Sequence, residues 1–142
     1  MMNEFVPAIM TTDVFTLSPE HTLEEARAIM LKKHIHHLPI LNNGKLVGMV
    51  TSWDFFKLGK SSEEYGAMKV KDVMTTKLAT LDPGQHIGAV AEVLMVHLFH
   101  AVPIVNEDQE LLGIVTSTDL IRYEYGKEYP ANLEKFIPEN MV

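Results

Sequence analysis

The chain has no cysteine among its 142 residues. It can therefore build neither a disulfide framework nor a thiolate metal site, which fits a reducing, cytoplasmic compartment. Long apolar runs are also lacking. The longest candidate, Ile87 to Val102, is broken by Glu92, His97 and His100, and spanning a bilayer takes roughly 20 apolar residues, so no membrane association is expected. The opening MMNEFVP carries an acid and no basic stretch, unlike a secretory signal peptide. Basic charge is scarce: 12 Lys and Arg stand against 19 Asp and Glu, for a formal net charge of −7 and a pI near 5.4. Such a surface repels a polyanion, so nucleic acid is not an expected partner, whereas a small anion met by local donors stays open. P-loop, nucleophile-elbow and zinc-protease patterns are missing, and the carboxylates stand singly rather than as a buried pair. A binding module, not an enzyme, is the expectation.

What is present is a globular composition, 46% apolar and 22% charged, and an internal repeat. Met10-Thr11-Thr12 aligns with Met74-Thr75-Thr76 at an offset of 64 residues, which continues through Pro19 and Pro83 to Pro39-Ile40 and Pro103-Ile104. The second copy then gains one residue in its turn, and from there the offset is 65, as between Asp54 and Asp119. The expected organisation is a first repeat over 1–60, a linker over 61–69 in a stretch rich in Gly, Ser and charge, a second repeat over 70–126, and a tail over 127–142.

Each copy reads as one small α/β unit. DVFTL (13–17) and KLATL (77–81) read as opening strands that stop before Pro19 and Pro83. A helix follows, with Thr22 and Glu25 as a capping pair and an apolar stripe at Leu23, Ala26, Ile29 and Met30, matched by Ile87, Val90, Val93 and Leu94. HLPIL and AVPIV read as strands turned back by Asn42-Asn43-Gly44 or NEDQE into KLVGMVT and LLGIVT. Second helices start near Ser52 and Ser117. Units of about 60 residues are marginal alone, so the two should pack together.

The doubled unit, the apolar-x-Pro strand at Pro39 and Pro103, and Gly-apolar-x-Thr-x-x-Asp-apolar at Gly48 and Gly113 together resemble a tandem pair of cystathionine-beta-synthase (CBS) domains. The resemblance covers most of the chain and draws its specificity from the repetition. It implies an α/β (α+β) fold of two pseudo-symmetric CBS repeats, each a small sheet with flanking helices, packed as one module. It further implies a regulatory module that requires no cofactor and binds adenosine-containing ligands such as AMP, ADP, ATP, NAD or S-adenosylmethionine. The effector would be a separate, unidentified protein.

Two readings apply to the motif that ends each copy. Thr51 and Thr116 can cap a helix whose third residue, Asp54 or Asp119, accepts main-chain N–H bonds. Alternatively, a carboxylate can accept from both ribose hydroxyls while a hydroxyl at a helix start meets a phosphate. The resemblance implies a ribose contact at Asp54 and Asp119 and a phosphate or ribose contact at Thr51 and Thr116. The capping role is compatible with either.

KKHIHHLPI, with His34, His36 and His37, invites three readings: a zinc site using a His-x-His pair, a structural role with His34 ending the helix at positive φ and the others on a strand edge, and phosphate contact. His36 and His100 each stand three residues before a proline, where the resemblance implies basic side chains near phosphate. No metal ligand is assigned. Thr12, Val14, Thr76 and Leu78 occupy the segment that lines the adenine pocket in the family, although a plain strand would look the same. Lys57 and Arg122 are expected to face solvent. Tyr123, Tyr125, Tyr129 and Phe136 read as packing on the domain surface.

Finally, Gly88, Ala89, Ala91, Val96 and His97 replace the Glu24, Glu25, Arg27, Lys32 and Lys33 of the first copy. A helix apolar almost all round is normally buried on more than one side. A homodimer through the helix Ile87 to Leu98 is therefore expected, with Ala91, Met95 and Val96 as contacts. Set against the sensor is a ligand-free interaction scaffold that keeps the fold without the pocket; retention of Thr and Asp in both copies favours the sensor.

Overall fold

A computed structural model of the chain describes residues 2–97 and 100–132. Within each repeat the order is a 3-10 turn, a helix, an antiparallel hairpin and a second helix. Thr22 ends the extended chain ahead of α1 (Leu23–Lys33), its Oγ1 accepting from Glu25 N at 3.1 Å, and His34 closes the helix in the left-handed region at φ 54°. Leu23, Ala26 and Met30 are buried along one face, with Ile29 packed against the same cluster. In the second copy, α4 (Ile87–His97) buries Ile87, Val90 and Leu94 in the same pattern.

The hairpin β1 (His37–Asn42) and β2 (Lys45–Thr51) turns at Asn43 and Gly44, whose φ values of 52° and 80° suit a two-residue turn of the twist that antiparallel strands need. Its counterpart, β3 (Ala101–Val105) and β4 (Leu111–Thr116), has a longer turn in which the Asn106 Oδ1 accepts from Asp108 N and Glu110 N at 3.0 and 2.9 Å. Leu38, Pro39 and Ile40, and Val102 and Ile104, are buried on these strands. The strands lead directly into α2 (Ser52–Leu58) and α5 (Ser117–Glu128).

The expected opening strands are not strands. Asp13–Leu17 and Lys77–Leu81 each make a single parallel bridge, Leu17 with Ile40 and Leu81 with Ile104. The cause lies just upstream. Thr11 is held by the other copy, exchanging main-chain hydrogen bonds of 2.9 Å with Ile114, while Thr75 is held by Met49 at 2.9 and 3.0 Å. Between Thr11 and Leu17 the chain crosses from one hairpin to the other and finds no continuous edge to pair with.

This crossing interlocks the repeats. Val6, in the turn Val6–Ala8, is fully buried in the second core beside Val90, Val102 and Val115, and Val70, in the turn Val70–Asp72, is fully buried in the first core beside Leu23 and Tyr65. Each such side chain contributes roughly 1.5–3 kcal/mol of burial to the partner repeat. The hairpin tips also meet, with Lys45 bridged to Glu110 and Leu46 N donating to Gln109 O at 2.9 Å. Lys45 and Glu110 occupy equivalent positions in the two copies, and the same equivalence exchanges the bridge Thr11 with Ile114 for the bridge Thr75 with Met49. The two copies thus meet about a pseudo-twofold relation.

Two stretches outside the repeats carry helix. The stretch read as a linker contains a helix, α3 (Ser62–Gly66), capped by Ser61 and carrying the buried Tyr65. Its polar composition hid it, because a single turn-and-a-half needs only one anchor. The stretch read as a tail is helical at its start, since α5 continues to Glu128; Phe136 and the rest of the tail beyond residue 132 lie outside the described residues, as does Leu98.

Candidate functional site

The two Thr-x-x-Asp motifs adopt the same local geometry. Thr51 N donates to Asp54 Oδ2 at 2.8 Å, and Thr116 N donates to Asp119 Oδ2 at 2.8 Å. In the second copy Asp119 N returns a bond to Thr116 Oγ1 at 3.2 Å; in the first, Thr51 Oγ1 donates to Asp54 Oδ2 at 3.3 Å. Capping is therefore satisfied in both. It occupies one carboxylate oxygen of each residue, and the other faces a cation: Asp54 Oδ1 lies 3.7 Å from Lys57 Nζ, and Asp119 Oδ1 lies 3.5 Å from an Arg122 guanidinium nitrogen. Lys57 and Arg122 thus fold back over the carboxylates rather than only facing solvent, as their position one helical turn beyond each Asp permits. At these separations the Oδ1 atoms have ion pairs but retain lone pairs for a closer donor. Asp54 is 6% exposed, the one buried charged residue among those described.

The histidines gather where the two copies meet. His36 O accepts from Ser52 N and His100 O from Ser117 N, both at 3.0 Å, which fixes each residue beside the start of its following helix. Both are exposed. His37, the first residue of β1 and the ladder partner of Thr51, has its ring centroid 6.3 Å from that of His100. Burial, followed by the neighbouring His100 and His36, holds the His37 imidazole down to about 4. It is neutral near pH 7. His37 stood out only beside His34 and His36 in the metal reading and not as a nucleotide contact, because its counterpart in the other copy is Ala101 and the repeat carries no signal there.

Val14 and Leu78 come together across the seam, packed on a cluster of Met49, Ala101 and Ile114. Thr12 and Thr76 are exposed beside them in sequence. An open cleft of about 460 Å³ lies beside Asp119 and Arg122, walled by Ala8, Ile9 and Tyr123, and another of about 610 Å³ lies beside Thr76 and Leu78. Among the described residues no three His, Asp or Glu side chains are grouped to hold a metal ion, and no helix is long and apolar enough to cross a membrane.

A capped helix, a hairpin through a buried proline and a helix opened by Thr-x-x-Asp, present twice and interlocked, define a tandem CBS pair. The family model for the CBS domain matches residues 6–61 and 70–126, and the chain belongs to that family. Such pairs are regulatory ligand-binding modules. Among solved structures, the CBS domain pair of protein MJ0100, in complex with 5'-methylthioadenosine and S-adenosyl-L-methionine, is 31% identical and superposes with a TM-score of 0.76 over 87% of this chain and 98% of that one. CBSX2 in complex with AMP is 25% identical, with a TM-score of 0.79 over 87% and 98%. Homoserine O-acetyltransferase of Methanohalobium evestigatum is 32% identical over 86% of this chain but only 24% of its own length. The chain spans between 22% and 50% of the length of curated relatives such as this one. The acetyltransferase name describes that whole protein.

Proposed function

We propose that the chain is a cytoplasmic sensor module that binds an adenine nucleotide, AMP, ADP or ATP, and acts on a separate effector protein. The carrying observation is the repeated carboxylate with one oxygen fixed by the main chain and the other left to a cation beyond hydrogen-bond distance. Ribose hydroxyls would donate to Asp54 or Asp119, with Thr51 or Thr116 alongside. Thr12 and Val14, or Thr76 and Leu78, would border the base, and His36 and His100 would meet phosphate. The adenosine moiety is shared by the ligands of the AMP-bound and S-adenosylmethionine-bound relatives. The 31% identity of the latter supports a second reading, in which S-adenosylmethionine takes the place of the nucleotide.

In the same reading the module is a homodimer. Met95 and Val96 of α4 are 71% and 67% exposed, outside the face that packs on the second core. Ala91 is half-buried, so Met95 and Val96 are the better contacts.

Calorimetry with AMP, ADP, ATP and S-adenosylmethionine tests the sensor. Micromolar affinity, about −8 kcal/mol, is expected for at least one. Asp54→Asn and Asp119→Asn should each weaken their own site about 10–100-fold, the equivalent of roughly 1.5–3 kcal/mol for a charged hydrogen bond. Absence of binding by all four at millimolar concentration would leave the scaffold reading in its place.

A further inference from the structure

Two imidazoles from different repeats meet at the seam: His37, the first residue of β1, has its ring 6.3 Å from that of His100, the residue before β3. At that separation one oxyanion can take an N–H from each ring, charge-assisted bonds being about 2.7–2.9 Å long. Strand β1 leaves His37 little freedom to retreat, since Leu38 next to it is fully buried and Thr51 pairs opposite.

The charges around this cluster explain its present state. The titratable groups that act on His37 are His100 from the segment entering β3 and His36 from its own segment. The carboxylates on the neighbouring helices are engaged elsewhere, Asp54 by Thr51 and Lys57 and Asp119 by Thr116 and Arg122. No anion among the described groups compensates a proton on His37, and burial therefore keeps it off.

We propose that His37 and His100 form one proton-linked anion site at the seam, in which the phosphate of a bound nucleotide is met by an imidazolium at His37. This rests on the nucleotide reading above and adds regulation to it: binding takes up a proton, so the module grips phosphorylated ligands more tightly as pH falls, while a ligand without phosphate gains nothing. The neutral ring also has a role before binding, because an uncharged His37 lets the seam close without adding a buried charge.

The test is proton uptake. AMP is titrated at pH 6.0 in two buffers of different ionisation enthalpy, with the unmodified protein and with His37→Gln; the nucleotide's own ionisation is common to both. Uptake larger by about 0.3 proton or more in the unmodified protein is expected, and adenosine should show no such difference. Equal uptake in the two proteins overturns the proposal and leaves nucleotide sensing intact, whereas absence of binding by AMP, ADP and ATP at millimolar concentration overturns both. Should His37→Gln fail to fold, the His37 ring resonance of the unmodified protein decides: its titration midpoint should rise by at least about 1.7 units in saturating AMP, and an unmoved midpoint overturns the proposal.

Discussion

Gly113 lies against the main-chain oxygen of Thr11, so that a Cβ built on the glycine would stand 2.7 Å from that atom. Its counterpart Gly48 faces the other copy's methionine instead, with the built Cβ 2.5 Å from Met74 Sδ. The glycine of each Gly-apolar-x-Thr-x-x-Asp motif is therefore the place where the crossing segment of the opposite repeat presses in. A thioether on a flexible side chain can rotate away, and a hydrogen-bonded peptide oxygen cannot. Gly113→Ala should cost about 1–3 kcal/mol, and Gly48→Ala should cost less despite its shorter distance. Urea unfolding followed by circular dichroism measures both, and equal losses would show that the Thr11 contact does not set the cost.

The repeat made much of this fold legible. Two registers, 64 before the turn and 65 after it, located both hairpins, the Thr22 cap and the helices opened by Ser52 and Ser117, because local turn and cap chemistry determines those elements. An internal repeat shows that Thr11 is equivalent to Thr75, but not which hairpin each one touches. The exchange of Val6 and Val70 between cores was therefore invisible, and the segments after them were read as strands of their own copy. The site shows the same division. Thr51, Asp54, Thr116 and Asp119 stood out by repetition, whereas His37, matched to Ala101, acquires its surroundings only when the two repeats come together.

Tyr65 ties the segment between the repeats to the first core. Its hydroxyl donates to Phe55 O at 3.0 Å and accepts from Lys60 N at 3.0 Å, and its ring meets that of Phe55 edge-on at 5.2 Å. Tyr65→Phe keeps the ring and removes both bonds, so a loss of about 1–2 kcal/mol is expected. Thermal unfolding reads the loss, and amide exchange at Lys60 should quicken in the variant. A stability unchanged within error would mean that water replaces the hydroxyl without cost.

His37 should also impose a pH dependence on folding in the absence of any ligand. Its folded value of about 4 lies below the 6.5 of an unperturbed imidazole. The unfolded chain therefore binds more protons between those values. Stability from this group is complete above about pH 6.5 and declines as pH falls toward about 4, by at most roughly 3 kcal/mol across the window. In His37→Gln that part of the slope should vanish while the carboxylate contributions remain. Denaturant midpoints at half-unit intervals between those limits check it, and an identical slope in the two proteins would place the titrating group elsewhere.

Helix α4 carries the last prediction. Its buried residues, Ile87, Val90 and Leu94, face the second core, while Met95 and Val96 project from the described surface at 71% and 67% exposure. The equivalent helix of the first copy has Lys32 where α4 has Val96, and repeats placed alike within one chain give no intramolecular reason for that difference. A twofold contact brings a patch onto its own copy, so a charge placed there meets a like charge. Met95→Glu and Val96→Glu should therefore each convert a dimer to a monomer at micromolar concentration, as light scattering would show, with little change in circular dichroism because neither side chain belongs to the core. Lys substituted at the same positions should do the same, which separates charge repulsion from an effect specific to the carboxylate. If the unmodified protein is already monomeric, or both charged variants remain dimeric, α4 is not the contact surface.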